Sequence, residues 1–255
     1  MKNAVIVGGS QGIGLAVAQR LVQNMNKTIV VSRKACAVAE VVNVPADVTD
    51  TYALKSAFAR ISDIDVLIYC AGFSLAAPLV KTDAKDYKYL FDVNLFGAAE
   101  CIKLAMPALE RSEDPRIILL SSAGAIAPIP YDAFYSASKA GLLSLAATLD
   151  IECPHIKTTA VVIGGTQTQF SFKRKVYDDC GEYAEDLKAA SDALIRMEQT
   201  GYSAVYVARK ITDIIDRKNP PPVVTVGCKN KLTLFLYKIL PQRLKLFALR
   251  KKYGI

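Results

Sequence analysis

Several things are scarce in this 255-residue chain, and each scarcity narrows what it can be. There is one histidine, His155, and it follows Cys153-Pro154 in a helix-to-strand loop. A surface loop residue is the plain reading there, so no metal ligand or general base is assigned. The six cysteines (Cys36, Cys70, Cys101, Cys153, Cys180, Cys228) stand singly, without CxxC pairs or the dense spacing of a secreted scaffold. They read as reduced, mostly buried thiols, and no metal site is expected. Low-complexity runs and internal repeats are absent, which argues against disorder and solenoids. No apolar run reaches the ~20 residues a membrane span needs. The N-terminal run Ala4 to Val7 is too short for a signal peptide, so the expectation is a cytoplasmic protein.

Acidic residues are also missing from one place. From Lys229 onward there are eight Lys and Arg and no Asp or Glu. The chain has 32 basic and 24 acidic residues, so these eight account for the whole net charge of +8 and leave residues 1–228 formally neutral. The basicity belongs to the tail.

What is present is a regular alternation. Apolar, β-branched runs at Ala4–Val7, Thr28–Val31, Val41–Val44, Val66–Tyr69, Ile117–Leu120, Thr159–Ile163 and Val223–Val226 are separated by helical stretches. The helices fall near Gly12–Asn24, Tyr52–Arg60, Ala84–Leu109, Ala133–Ile151 and Ser203–Arg217. Strands apolar on both faces, joined through helices, predict a doubly wound α/β Rossmann fold with a parallel sheet of about seven strands. One catalytic domain is expected over 1–228, followed by a basic, apolar extension over 229–255. Residues 166–200 are the least regular and read as a substrate lid.

The first strand runs into Gly8-Gly9-Ser10-Gln11-Gly12-Ile13-Gly14. Gly8, Gly12 and Gly14 permit a tight turn and close approach of backbone to phosphates, and the helix start offers unpaired N–H groups, with Ser10, Gln11 and Ile13 lining the turn. The second strand ends in Ser32-Arg33-Lys34, with no acid to hold an adenosine 2′-hydroxyl. A hydroxyl and two cations suit the 2′-phosphate of NADP(H); the other reading is ordinary solvated loop charge.

Tyr135-Ser136-Ala137-Ser138-Lys139 opens a helix, which places Tyr135 and Lys139 on one face. An adjacent ammonium favours a phenolate and would pull the Tyr135 phenol down for acid/base work. Ser122, at the end of the fifth strand, stands where open α/β sheets bind ligands and can polarise a carbonyl.

With these residues in view, the chain resembles the classical short-chain dehydrogenase/reductase family from Met1 to about Gly227. The resemblance implies a catalytic set of Asn94, Ser122, Tyr135 and Lys139, with Asn94 holding a proton-relay water. It also implies cofactor contacts from Asp47-Val48 at the adenine and from the turn Cys70-Ala71-Gly72. Gly164, Thr166 and Thr168 would lie beside the nicotinamide, and Lys139 would bind its ribose. Val7, Cys70 and Ile163 depart from the family pattern of Thr, Asn and Pro; Val7 removes a hydroxyl bridge and leaves the turn less tied down, and at Cys70 and Ile163 contacts should rest on backbone groups. The expected activity is NADP(H)-linked interconversion of a ketone and a secondary alcohol. Two alternatives stay open, a 3-oxoacyl thioester reductase and a non-catalytic NADP(H) sensor. Family members are usually homodimers or homotetramers through the long helices.

The tail has two apolar segments, Leu232–Leu240 and Arg243–Tyr253, broken by Pro241. A basic amphipathic segment over 229–252 suits an anionic membrane surface, here the inner face, and would favour a lipophilic steroid, sphingoid or acyl ketone. Equally, its leucines would cap the core or a subunit interface. Interleaved aliphatics where stacking aromatics would be wanted argue against nucleic acid.

Overall fold

The computed structural model describes residues 2–25 and 27–255, so Met1 and Asn26, both within the range assigned to the catalytic domain, lie outside it. Seven parallel strands form the central sheet: β1 Asn3–Val7, β2 Lys27–Ser32, β3 Val41–Pro45, β4 Val66–Tyr69, β5 Arg116–Ser122, β6 Lys157–Ile163 and β7 Val223–Thr225. Their order is β7-β6-β5-β4-β1-β2-β3, every pairing parallel. Each expected strand is present within one or two residues of its expected ends.

Successive side chains of a strand point to opposite faces, and this divides the core in two. Val5 and Val7 of β1 join Leu67, Tyr69, Ile117 and Leu119 on one face, under helices α2 (Thr51–Phe58), α4 (Gly97–Leu109) and α5 (Ala133–Glu152). Ala4 and Ile6 join Ile68, Ile118, Leu120 and Val161 on the other, under α1 (Gly12–Leu21) and α7 (Ala204–Ile215). The chain winds outward through β1-β2-β3 and then returns to place β4 on the other side of β1. That reversal opens a crevice at the carboxyl ends of β1 and β4, the usual ligand position of such sheets.

The long helix expected over Ala84–Leu109 is interrupted. It runs as α3 (Ala84–Phe91), a π-helical turn Asp92–Phe96, and then α4. A π turn adds a residue to the local repeat and re-aims one side chain, here Asn94.

Residues 166–200 cross the carboxyl edge of the sheet. Thr166–Gln167 pairs with Tyr202–Ser203, Lys175–Val176 pairs with Leu75–Ala76, and α6 spans Ala184–Gln199. The tail forms α8 (Cys228–Ile239) and α9 (Gln242–Tyr253) on either side of Pro241. Part of the tail caps the body. Leu249 and Tyr253 are buried in a third apolar cluster with Ala190 and Ala193 of α6, Leu75, Leu90, Ile129 and Tyr135.

Candidate active site

The glycine turn is built against the end of β4. Gly8 has φ = 83°, and a Cβ on it would lie 2.6 Å from the Ala71 backbone nitrogen. A Cβ on Gly14 would lie 2.4 Å from the Gly8 carbonyl oxygen. Both positions need glycine, the first for its left-handed backbone and both for contact distance. The first turn of α1 carries no side-chain cap, leaving Gln11 as N-cap without a side-chain bond to the helix and the leading N–H groups facing the crevice. Ser10 and Ile13 flank this turn, and Ile13 packs against the core of the α1 face. Space left free of side chains by the glycines, uncapped N–H groups and the helix dipole together fit the pyrophosphate of a dinucleotide.

At the rim, Ser32 Oγ donates to the Lys34 carbonyl at 2.6 Å. The Arg33 guanidinium lies 3.6 Å from the Asp47 carboxylate and donates to the Tyr89 hydroxyl at 3.4 Å. Asp47 also accepts from the Thr49 backbone N–H and hydroxyl. Val48 packs beside Gly97 at the start of α4. These groups stand apart from the Tyr135 cluster, beyond the β2 end of the crevice.

Four elements bring Asn94, Ser122, Tyr135 and Lys139 together. From the π turn, Asn94 Oδ1 accepts the Phe73 N–H at 2.9 Å, while its Nδ2 donates to the Phe73 carbonyl at 2.9 Å and to Ser138 Oγ at 3.1 Å. Asn94 is fully buried, so these bonds satisfy it where water is excluded. Lys139 Nζ donates to the Leu120 carbonyl at 2.9 Å, and Ser121 Oγ donates to the Lys139 carbonyl at 2.8 Å, tying the end of β5 to α5. Gly72 sits between two of the four: a Cβ there would be 3.1 Å from both Asn94 Oδ1 and Lys139 Nζ. The Ser122 hydroxyl accepts the Gly124 N–H at 3.1 Å and is hydrogen-bonded to the Tyr135 phenol. Lys139 Nζ lies 5.8 Å from the Tyr135 ring centroid.

The electrostatics correct one expectation. Burial pushes the Tyr135 phenol above its ordinary value, and Asp132 and Glu198 add to the rise; only the Ser122 hydrogen bond opposes it. Desolvation of the charged form thus sets the direction, where the sequence alone suggested that the ammonium would. Burial also lowers Lys139 to about 8, with Cys70 acting in the opposite direction. The Cys70 thiol is itself pushed up to about 12 by its apolar surroundings, which leaves it unreactive. Its backbone N–H donates to the Val7 carbonyl at 2.8 Å, so the substituted positions 7 and 70 are joined through main chain.

The lid closes over the glycine turn. Thr168 is the nearest side chain to Gly12, Lys173 Nζ donates to Gln11 Oε1 at 2.9 Å, and the Phe170 ring lies 5.7 Å from that of Tyr135. Thr166 is buried, its hydroxyl donating to the Gly164 carbonyl at 3.1 Å. Gly164 is itself a packing glycine: a Cβ there would lie 2.5 Å from Nδ2 of Asn230 in α8.

Three buried charged residues of this region were not singled out from the sequence. Glu198 accepts from the Thr168 hydroxyl and from the backbone N–H groups of Phe170 and Ser171. Asp132, which precedes α5, accepts from the Ser74 hydroxyl at 2.5 Å and the Leu75 N–H at 3.3 Å, and burial raises it to about 7. Arg174 is buried within the electrostatic reach of both. In sequence each looks like a solvated charge, because nothing local reports that the lid will cover it.

The comparisons agree with this architecture. The family model described as short chain dehydrogenase matches residues 2–177. Over nearly its whole length the chain is similar to a 3-ketodihydrosphingosine reductase of Bacteroides thetaiotaomicron, 29% identical over 262 residues that cover 98% of this chain and 97% of the relative. It is also similar to the 3-oxoacyl-[acyl-carrier-protein] reductase MabA of Mycobacterium tuberculosis, 31% identical over 166 residues that cover 64% of this chain and 67% of the relative. Among solved structures, a short-chain dehydrogenase from Streptomyces avermitilis superposes with a TM-score of 0.81 at 23% identity, covering 98% of this chain and 97% of that one.

Proposed function

The chain belongs to the short-chain dehydrogenase family, and from that premise we propose that it is an NADP(H)-dependent ketoreductase acting on a lipophilic ketone, with a long-chain sphingoid ketone as the leading candidate. The observation that carries the reading is the meeting of Ser122, Tyr135 and Lys139 with Asn94 beside the glycine turn.

When bound, the reduced nicotinamide supplies a hydride to the carbonyl carbon. The chain's own groups act at the oxygen. Tyr135, whose phenol is protonated at neutral pH, donates that proton there as the general acid. Ser122 orients the phenol and offers a second hydrogen bond to the same oxygen. Lys139, the nearest ammonium, steadies the phenolate that remains, and Asn94 holds the Phe73 loop after β4 against α5 so that Lys139 keeps its place. In the oxidative direction the same groups run in reverse.

Three features support the finer choices. Arg33 and Lys34 stand at the β2 rim with no acid on that strand end, and an exposed Arg33–Asp47 pair is worth little, so its guanidinium is free to exchange onto a 2′-phosphate. Tyr135 shares its apolar cluster with Leu75, Ile129, Phe73, Phe134 and Met197, surroundings suited to a hydrocarbon chain. The relative that matches the full length, tail included, is named for a sphingoid ketone. The similarity to MabA favours a second reading, reduction of a 3-oxoacyl thioester.

The test is consumption of NADPH and of NADH by purified protein with 3-ketodihydrosphingosine, ketosteroids, long-chain acyl ketones and acetoacetyl thioester. Turnover of the sphingoid ketone with NADPH is expected. Turnover of the thioester alone would replace the first reading by the second, and cofactor binding without any turnover would mark a sensor.

A further inference from the structure

The two tail helices are built inside out for a protein surrounded only by water. In α8 the inward face is carried by Leu234, which is buried, and by Tyr237, which packs against the third apolar cluster. Leu232, Phe235, Leu236 and Ile239 recur at i, i+3, i+4 and i+7 and so form a single stripe, centred about half a turn away from Leu234. All four are exposed, between 47% and 63%. In α9, Leu249 and Tyr253 turn inward while Leu244 and Phe247 face out, 51% and 65% exposed. The usual pattern places the apolar stripe on the core and charge on the opposite face; here apolar residues occupy both.

Charge settles what covers the outer face. Arg243, Arg250 and Lys251 flank Phe247 on the helical repeat, Lys229 flanks the α8 stripe, and residues 229–255 contain no acid. Lys252 is held below its ordinary value by burial and by the charge of Lys229, so the two helices bring like charges together. A symmetric contact with a second copy would set this basic face against itself. Among the described residues no helix is long and apolar enough to cross a membrane. An apolar stripe with a basic border and too short to span is the pattern of a helix lying in an anionic interface, cations at the headgroups and Phe and Leu below them.

We propose that the outer face of α8 and α9 docks on an anionic lipid bilayer, through Phe235, Phe247 and the surrounding leucines and cations. Its place in the fold gives the docking a use. The inward side of α9 packs on α6, the lid helix, in the same cluster as Tyr135, and Asn230 of α8 covers Gly164 at the end of β6. A bilayer held there lies one helix layer from α6, which would keep a lipid ketone close to the proposed site. The docking stands apart from the proposed reaction; only the delivery of a lipid rests on it.

The experiment is flotation of the full-length protein with phosphatidylcholine vesicles, with and without phosphatidylglycerol, for the native chain and for the F235E/F247E variant. Both positions are exposed, so the variant is expected to keep its melting temperature and its NADPH-linked turnover of a short, water-soluble ketone. The native chain should float with the anionic vesicles, less so at high salt, and the variant should bind about tenfold or more weakly. Failure of the native chain to float, or equal flotation of the variant, would overturn the proposal. So would a face occupied otherwise: native oligomers that the variant dissociates, or capture of an acidic acyl-carrier protein in place of vesicles. Because flotation needs no turnover, a chain that floats yet reduces no lipid ketone would sink the reaction reading and leave the docking intact.

Discussion

The Glu198 carboxylate accepts the Thr168 hydroxyl at 2.5 Å, which fastens the last turn of α6 to the strand end that crosses the glycine turn. The same carboxylate takes the N–H groups of Phe170 and Ser171 at 2.9 and 2.8 Å. Glu198→Ala would remove three hydrogen bonds to a carboxylate at a part-buried place, where water can replace them only incompletely. The expected result is a lower melting temperature together with a raised KM for NADPH, because the unfastened segment covers Gly12. A fall in stability with an unchanged KM would separate the lid from the cofactor site.

Tyr135→Phe removes the proposed proton donor and keeps the ring that packs on Phe170. Turnover is expected to fall about 10²- to 10⁴-fold, with NADPH affinity, read by fluorescence titration, little altered. Retained turnover would remove Tyr135 from the chemistry.

The pH profile should report Lys139. Its value is lowered from 10.5 to about 8 by burial, so the ammonium is held below that pH and lost above it. The rate of ketone reduction is therefore expected to decline as pH rises through about 8. A rate that stays level to pH 10 would show that the charge of Lys139 does not matter.

Arg33→Ala tests the cofactor choice. Losing one charge-assisted bond to a 2′-phosphate is expected to raise the KM for NADPH roughly ten- to hundredfold while leaving that for NADH nearly unchanged. Equal effects on both cofactors would assign Arg33 to the fold through Asp47 and Tyr89.

Asp132 has its folded value raised from 3.8 to about 7 by burial. The folded chain then binds more protons than the unfolded one between these values. Its contribution to stability is full below about 4 and is lost as pH rises through about 7. Asp132→Asn should flatten the dependence of urea stability on pH across that window; an unaltered slope would place its origin elsewhere.

Much of this was legible in one dimension because it depends on short-range repeats. β-Branched runs apolar on both faces defined all seven strands, and their alternation with helices set the fold class. The four-residue spacing of Tyr135 and Lys139 placed both on one helix face, and Gly8 and Gly14 marked the turn that their contact distances require. The tail shows the limit. Its composition left membrane, core and subunit interface open, and the fold assigns Leu249 and Tyr253 to the core while leaving Phe235 and Phe247 outside.

The order of elements, the catalytic and cofactor candidates and the concentration of charge after Lys229 are all written in neighbouring residues. Folding in three dimensions is what buries the Tyr135 phenol and pushes it up, aims Asn94 at Phe73 through a π turn, ties Glu198 to the 168–171 segment and gives the space at Gly164 to Asn230. Desolvation, and contacts between residues tens of positions apart, arise when distant segments exclude water together, and no local pattern records that event.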